Sequence, residues 1–193
     1  NKAQKELSRP AFDLKKIDKS WTLFLDRDGV INEDRPNSYV FNADDFIFFE
    51  GVPEAFRKLS RIFKHIFVAT NQRGVGKGLM SQKDLDDIHK KMNNDIEKAG
   101  GKIDKIYYCT NINNNNFDRK PNPGMALRAK EAFHEVDLSK SIMVGNNISD
   151  MQFGRAAGMY TVFVTTTLPE VQLPHPYIDL VFNNLNEFVD NLP

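Results

Sequence analysis

The chain has 193 residues, 40% of them hydrophobic and 15 of them Phe, which suits one buried core and is too apolar for a disordered segment. Lys plus Arg and Asp plus Glu both number 26, so the zero net charge gives no overall pull toward nucleic acid or an anionic membrane surface. A single Cys excludes an internal disulfide and an all-cysteine zinc site, and no stretch has the length of a membrane span or the pattern of a signal peptide. A reducing compartment, the cytoplasm, is the expectation that follows, with the protein a monomer. The chain opens on Asn1 rather than Met, as a processed or excised piece of something longer would.

Residues 1–20 are polar, Lys-rich and broken by Pro10, and read as a mobile lead-in or linker to one domain over 21–193. Trp21 to Leu25 is an apolar strand that stops abruptly at Asp26, with Asp28 two positions later and then Gly29. Residues i and i+2 of an extended chain point the same way, so both acids can face one ligand. Gly29 permits a sharp turn behind them. The same pattern is common in ordinary turns, so the stretch alone decides nothing. Asn32 to Ser38 is a loop of turn residues; Tyr39–Phe41 and Phe46–Phe49 around Asn42–Asp45 suggest a short hairpin at the site mouth.

Pro53 stands at a first helical position for a helix running to Ile62, with Phe56, Leu59 and Phe63 at helical spacing. Ile66 to Ala69 is a second strand ending at Thr70-Asn71, and Ser81 to Asp84 is a capping-box variant. It opens a helix whose stripe is Leu85, Ile88, Met92 and Ile96, closed by Gly100-Gly101. Ile103 to Cys109 is a third strand, followed by the Asn-rich loop 111–117 and a helix over Pro123 to Phe133. Ser141 to Val144, Tyr160 to Val164 and Leu180 to Phe182 complete the strands, with helices at Asp150 to Ala157 and Leu185 to Val189. Strands alternating with helices predict an α/β domain: a Rossmann-like, mostly parallel sheet flanked by helices.

Four strand ends carry polar groups: Asp26 and Asp28, Thr70-Asn71, Arg119-Lys120-Pro121, and Asn146 to Asp150. In an open parallel sheet such ends meet at one crevice. Acids, a hydroxyl, amides and cations together fit phosphoryl transfer assisted by a divalent metal. The Gly74-Val75-Gly76-Lys77-Gly78 run is not a nucleotide-binding P-loop, because Asn71 stands where the first Gly belongs and Gly78 where Ser or Thr belongs. Those glycines read instead as shaping a loop over the substrate. The four His are scattered without metal or triad spacing and read as structural or surface residues.

The order Asp-x-Asp-Gly-Val, Thr-Asn, Lys-Pro, Gly-Asn-x-x-x-Asp resembles the four motifs of the haloacid dehalogenase superfamily of phosphatases, from Trp21 onward. Within it, Leu25 to Asn32, Thr70 to Gly78, Ile106 to Cys109 and Arg119 to Met125 resemble the D-glycero-D-manno-heptose 1,7-bisphosphate and histidinol-phosphate phosphatase branch. The resemblance implies a domain with no large cap and a phosphorylated small-molecule substrate. A sugar bisphosphate comes first and histidinol phosphate next. Polynucleotide 3′-phosphatases look similar around Phe67 to Lys77, but zero net charge and the lack of a basic stripe weigh against nucleic acid. Roles follow by position. Asp26 is the expected nucleophile, Asp28 the general acid and then base, Thr70 a phosphoryl ligand, and Lys120 the neutralising cation. Asn71, Arg73 and Arg119 are expected to bind substrate, Arg73 at a second phosphate. Mg²⁺ is expected on Asp26, the Asp28 carbonyl, Asn146 and Asp150.

Two departures stand out. The branch often holds zinc with three Cys and one His, whereas only Cys109 is present here and residues 111–118 supply no His, so no zinc is expected. The fourth motif usually begins Gly-Asp; here it reads Gly145-Asn146. A carboxamide oxygen still suits a hard cation, but site charge falls by one unit. A weakened working site is the favoured consequence, with a binding module without turnover and an engineered change as the alternatives. Asn146→Asp is expected to tighten Mg²⁺ binding, as titration calorimetry would measure.

Overall fold

The computed structural model describes residues 11–193. The first half of the expected lead-in, residues 1–10, lies outside the described residues. In the second half, Asp13 caps a 3-10 turn over Leu14–Lys16, Ile17 is buried, and the Phe12 ring stacks on Tyr160 at 4.3 Å and on Trp21 at 5.9 Å.

Among the described residues six strands form one sheet, β1 (Thr22–Leu25), β2 (His65–Asn71), β3 (Lys105–Cys109), β4 (Ser141–Gly145), β5 (Tyr160–Val164) and β6 (Leu180–Phe182), in the order β3-β2-β1-β4-β5-β6. Every pairing is parallel, with Thr22 opposite both His65 and Ser141 in the central register. Among the described residues six helices accompany them: α1 (Val52–Ile62), α2 (Arg73–Gly76), α3 (Gln82–Lys98), α4 (Gly124–Ala132), α5 (Ile148–Ala157) and α6 (Leu185–Asp190).

Strand alternation divides the core in two. Leu23, Leu25, Ile66, Val68, Ile142 and Val144 face one side, where Phe56 and Leu59 of α1, Leu85, Ile88, Met92 and Ile96 of α3, and Phe188 of α6 cover them. Phe24, Phe67, Ala69 and Met143 face the other, under Met125, Ala126 and Ala129 of α4 and Phe153 of α5. Both faces are therefore dry, which explains why these strands read as continuous apolar runs. The α3 stripe falls where its period of three and four residues puts it, and the Ser81–Asp84 capping box forms at its start. Among the described residues no helix is long and apolar enough to cross a membrane, and a single sheet accounts for all named strands.

One expectation needs correction. Residues 39–49 do not make a hairpin. The Asn42 side chain accepts from the Asp45 amide and caps a 3-10 turn over Ala43–Asp45, while the Asp45 carboxylate accepts from the Phe41 amide. Val40 and Phe46 are buried in the core rather than aligned in a ladder, and the segment's strand pairing is an isolated bridge between Asn32 and Phe48. The apolar residues were recruited for packing, and local side-chain bonds outcompeted the ladder. The glycine run after β2 likewise resolves into the short helix α2; any side chain at Gly76 would collide with the Thr110 carbonyl at the end of β3.

Candidate active site

The chain leaves β1 toward β2 and β3 on one side and returns to β4 on the other, so the switch point of the sheet lies at the carboxyl ends of β1 and β4. Asp26 follows β1 directly, and its amide donates to the Val144 carbonyl at 3.0 Å, so the sheet's own bonding fixes its place. Gly29 turns the chain behind it with φ of 87°, in the left-handed region that favours glycine, and a Cβ there would run into Asn146.

Lys120, from the loop before α4, buries its ammonium between two carboxylates, 2.9 Å from Asp26 Oδ1 and 2.7 Å from Asp150 Oδ1. Its backbone is clamped by the Asn71 side chain, whose Oδ1 accepts from the Lys120 amide and whose Nδ2 donates to the Lys120 carbonyl, both at 3.0 Å. The other oxygen of Asp150 accepts from the amides of Asn146 and Asn147 at 3.1 Å each, capping α5. Burial works against the Lys120 charge, but Asp150 and Asp26 outweigh it and hold the ammonium above its ordinary pKa. Burial first, and then the charge of Asp150, push the Asp26 carboxyl up to about 7 against the pull of Lys120. The triad has one buried carboxylate more than it has cations, and it favours a further positive charge.

Asp28 lives in the opposite environment. Burial would raise its pKa, but Arg27 and the hydrogen bonds from Asn32, Arg27 and Gln72 hold it below the usual carboxylate range. Arg27 is fully buried; its Nη2 lies 2.8 Å and its Nε 3.0 Å from Asp28 Oδ1, and its Nη1 donates to His89 Nε2 at 3.1 Å. His89 of α3 must therefore present an unprotonated Nε2. Burial, with Arg27 adding to it, depresses the His89 pKa to about 3. Gln72 Nε2 bridges Thr70 Oγ1 at 2.9 Å and Asp28 Oδ2 at 3.2 Å, so one buried amide joins the expected phosphoryl ligand to the expected acid–base residue.

The fully buried Asn146 carboxamide has one arm 3.1 Å from both Asp26 Oδ2 and the Asp28 carbonyl, and the other arm 2.8 Å from Thr167 Oγ1. A carboxylate oxygen, a backbone carbonyl and a carboxamide oxygen make a hard-oxygen set that fits Mg²⁺. The carboxamide stands 3.1 Å from each of the other two oxygens, close enough for one small hard cation to be shared. Asp150 has both oxygens engaged by Lys120 and the helix amides. Among the described residues no group of three or more His, Cys, Asp or Glu offers a metal site, so a cation here depends on the carbonyl and the carboxamide.

Arg73 of α2 and Arg119 share one acceptor, Asn114 Oδ1, at 2.8 Å and 3.3 Å. Arg73 Nε and Arg119 Nη1 are buried without a hydrogen-bond partner, and burial together with the Arg73 charge lowers the Arg119 pKa. The Asn-rich loop around them is held by its own side chains: Asn111, Asn113 and Asn116 each accept from an amide two residues on, and Cys109 Sγ lies 3.6 Å from Asn116 Oδ1.

Reading the chain alone missed Arg27, Asn32, Gln72, His89 and Thr167. Arg27, Asn32 and Gln72 lie beside or within the motifs, so polar neighbours of the two Asp residues are the signal that points to them. His89 and Thr167 had no local signal.

A lysine-backed carboxylate and a second, arginine-backed carboxylate at the switch point of a parallel sheet define the class: a phosphatase of the haloacid dehalogenase superfamily, a phosphoric monoester hydrolase. The family described as polynucleotide kinase 3 phosphatase matches residues 22–172, and the chain belongs to it. The chain is 40% identical over 146 residues to the D-glycero-alpha-D-manno-heptose-1,7-bisphosphate 7-phosphatase of Campylobacter jejuni, covering 76% of this chain and 83% of that one. It is 34% identical over 172 residues to the D-glycero-beta-D-manno-heptose-1,7-bisphosphate 7-phosphatase of Escherichia coli (strain K12), covering 84% and 88%. Among solved structures, the D,D-heptose 1,7-bisphosphate phosphatase of B. bronchiseptica, complexed with magnesium and phosphate, superposes with a TM-score of 0.79 at 30% identity, over 88% of this chain and 96% of that one. These relatives lend no support to the alternative of a binding module without turnover.

Gln72→Leu strips Thr70 and Asp28 of their shared donor, and kcat/KM for a phosphomonoester should fall about tenfold or more, as the loss of a bond to a charged group implies. His89, with its folded pKa depressed, binds its proton in the unfolded chain first. Its contribution is complete above the unfolded value near 6.5 and is lost as pH falls toward the folded value of about 3. Urea unfolding at pH 7 and pH 5 should show a loss that is smaller in His89→Gln by up to about 2 kcal/mol.

Proposed function

We propose that the chain hydrolyses D-glycero-D-manno-heptose 1,7-bisphosphate with Mg²⁺, through an aspartyl phosphate on Asp26, as a cytoplasmic monomer. The observation that carries this reading is the pairing of Lys120 with Asp26 Oδ1 at 2.9 Å while Oδ2 is turned toward Asn146 and the Asp28 carbonyl. The heptose bisphosphate phosphatases it resembles support the substrate class.

Asp26 Oδ2, the Asp28 carbonyl and the Asn146 carboxamide oxygen would hold the ion, which offsets the repulsion between the Asp26 carboxylate and the phosphate. Asp26 Oδ1 attacks phosphorus in line, forming an O–P bond as the bond to the sugar oxygen breaks. The electron pair goes to that oxygen, which takes a proton from Asp28. A monoanionic phosphate ester brings that proton, because Arg27 otherwise keeps Asp28 ionised. Water then attacks phosphorus, ionised Asp28 takes its proton, and phosphate leaves Asp26. With Gln72 donating to Thr70 Oγ1, the Thr70 hydroxyl proton is free for a phosphoryl oxygen, beside the Lys120 charge. Arg73 and Arg119, with their buried unpaired N–H groups, suit the second phosphate of a bisphosphate. Asn71 acts through its clamp on Lys120, and Asp150 through Lys120 and the α5 amides.

The family match favours a second reading, release of a 3′-phosphate from a polynucleotide end. Phosphate release is measured with Mg²⁺ from both anomers of the heptose bisphosphate, from histidinol phosphate and from a 3′-phosphorylated oligonucleotide. The bisphosphate is expected to turn over fastest, and Asp26→Asn to abolish turnover. Arg119→Ala should raise KM about tenfold for the bisphosphate while leaving a heptose monophosphate nearly unchanged, the expected cost of one charge-assisted contact. Preferred turnover of the oligonucleotide would establish the second reading instead.

A further inference from the structure

A carboxylate at position 146 would present the same oxygen to both of its neighbours. A carboxamide cannot, because one arm is an acceptor and the other a donor. The arm of Asn146 that faces Asp26 Oδ2 and the Asp28 carbonyl, at 3.1 Å each, therefore has two chemically distinct states. With Nδ2 inward, the amide donates to both oxygens and Asn146 Oδ1 accepts from the Thr167 hydroxyl at 2.8 Å. With Oδ1 inward, three oxygens converge, with the Asn147 side-chain amide donating to Oδ1 only over a long 3.5 Å, so a cation among them is the better partner, and Nδ2 donates to Thr167 Oγ1 over the same 2.8 Å. The Thr167 hydroxyl serves both states because a hydroxyl both donates and accepts. Its proton is released in the second state, where Asp34 Oδ2 lies 3.3 Å away to take it as a hydrogen bond.

We propose that the Asn146 carboxamide turns over when the cation binds, and that Thr167 is the positioning residue that holds its oxygen inward. The amide donor occupies the cation's partners in the metal-free protein, so Mg²⁺ must displace two hydrogen bonds as it enters. Thr167 offsets that cost by accepting from Nδ2 and donating to Asp34. The cation-bound state uses two Thr167 bonds and the metal-free state uses one, so removing the hydroxyl weakens binding of the ion. An aspartate at 146 has no orientation to choose, and Thr167 then ceases to matter for the ion. This inference rests on the Mg²⁺ reading given above.

The test is a double-mutant cycle read by Mg²⁺ titration calorimetry, which needs no substrate and no turnover. Thr167→Val in the natural background is expected to weaken Mg²⁺ binding about tenfold, the equivalent of one bond to a charged group. Thr167→Ser, which keeps the hydroxyl, should bind within about twofold of the unaltered protein. In Asn146→Asp, binding should tighten, and adding Thr167→Val should change it less than about twofold. Should Thr167→Val fail to fold, Thr167→Ala reports the same loss of the hydroxyl. Equal weakening in both backgrounds, or none in either, would overturn the switch while leaving the Mg²⁺ site standing. No Mg²⁺ binding by the unaltered protein would overturn both.

Discussion

A lysine ammonium sealed between two carboxylates is the interaction on which the rest of the site depends. Removing Lys120 from water costs several kcal/mol, which contact with Asp26 and Asp150 offsets only if every partner is held in place. The fold supplies the holding. Asp26 is tied to β4 through its amide, Asp150 is fixed by the first amides of α5, and Asn71 grips the Lys120 backbone from the end of β2. Three strands thus meet at one ammonium, with one carboxylate more than there are cations to neutralise it.

The two aspartates of the first motif stand two residues apart and are driven in opposite directions. Asp26 is raised by burial and a neighbouring acid, while Asp28 is lowered, against its burial, by a buried arginine and by hydrogen bonds from Asn32, that arginine and Gln72. Separating the pKa values of neighbouring acids is how one site supports different roles for chemically identical groups. Arg27 is the agent of that separation, and it is held by His89 from α3 and lies over the Phe46 ring at 5.9 Å. The segment expected as a hairpin therefore contributes after all, since Phe46 reaches the core only because residues 42–45 turn instead of pairing.

Asn146 and the Asn-rich loop share a theme. A neutral carboxamide stands at the position where the superfamily pattern has an acid. In residues 111–118, side-chain amides and backbone turns organise a loop that brings Asn114 between two guanidinium groups. Amides are self-complementary donors and acceptors, so they can build local order without a charge, at the cost of making orientation matter.

The chain alone determined the alternation of strands and helices, the α3 stripe and its cap, and the motifs at the ends of β1, β2 and β4, while the Lys120 motif lies in the loop beyond β3. These rest on local chemistry: apolar period, capping side chains and acids that end buried runs. It also contained Asp26, Asp28, Thr70 and Lys120 as candidates, because their order along the chain resembles the four motifs of the superfamily. Only the tertiary structure decided what surrounds them. The strand order that places β1 between β2 and β4, the pull of Arg27 on Asp28, the Gln72 bridge, the Asn71 clamp and the approach of Thr167 to Asn146 all join residues through space. The physical reason is the same in each case. A pKa or a hydrogen bond depends on which groups lie within a few ångströms, and that distance is set by packing between elements rather than by position along the chain.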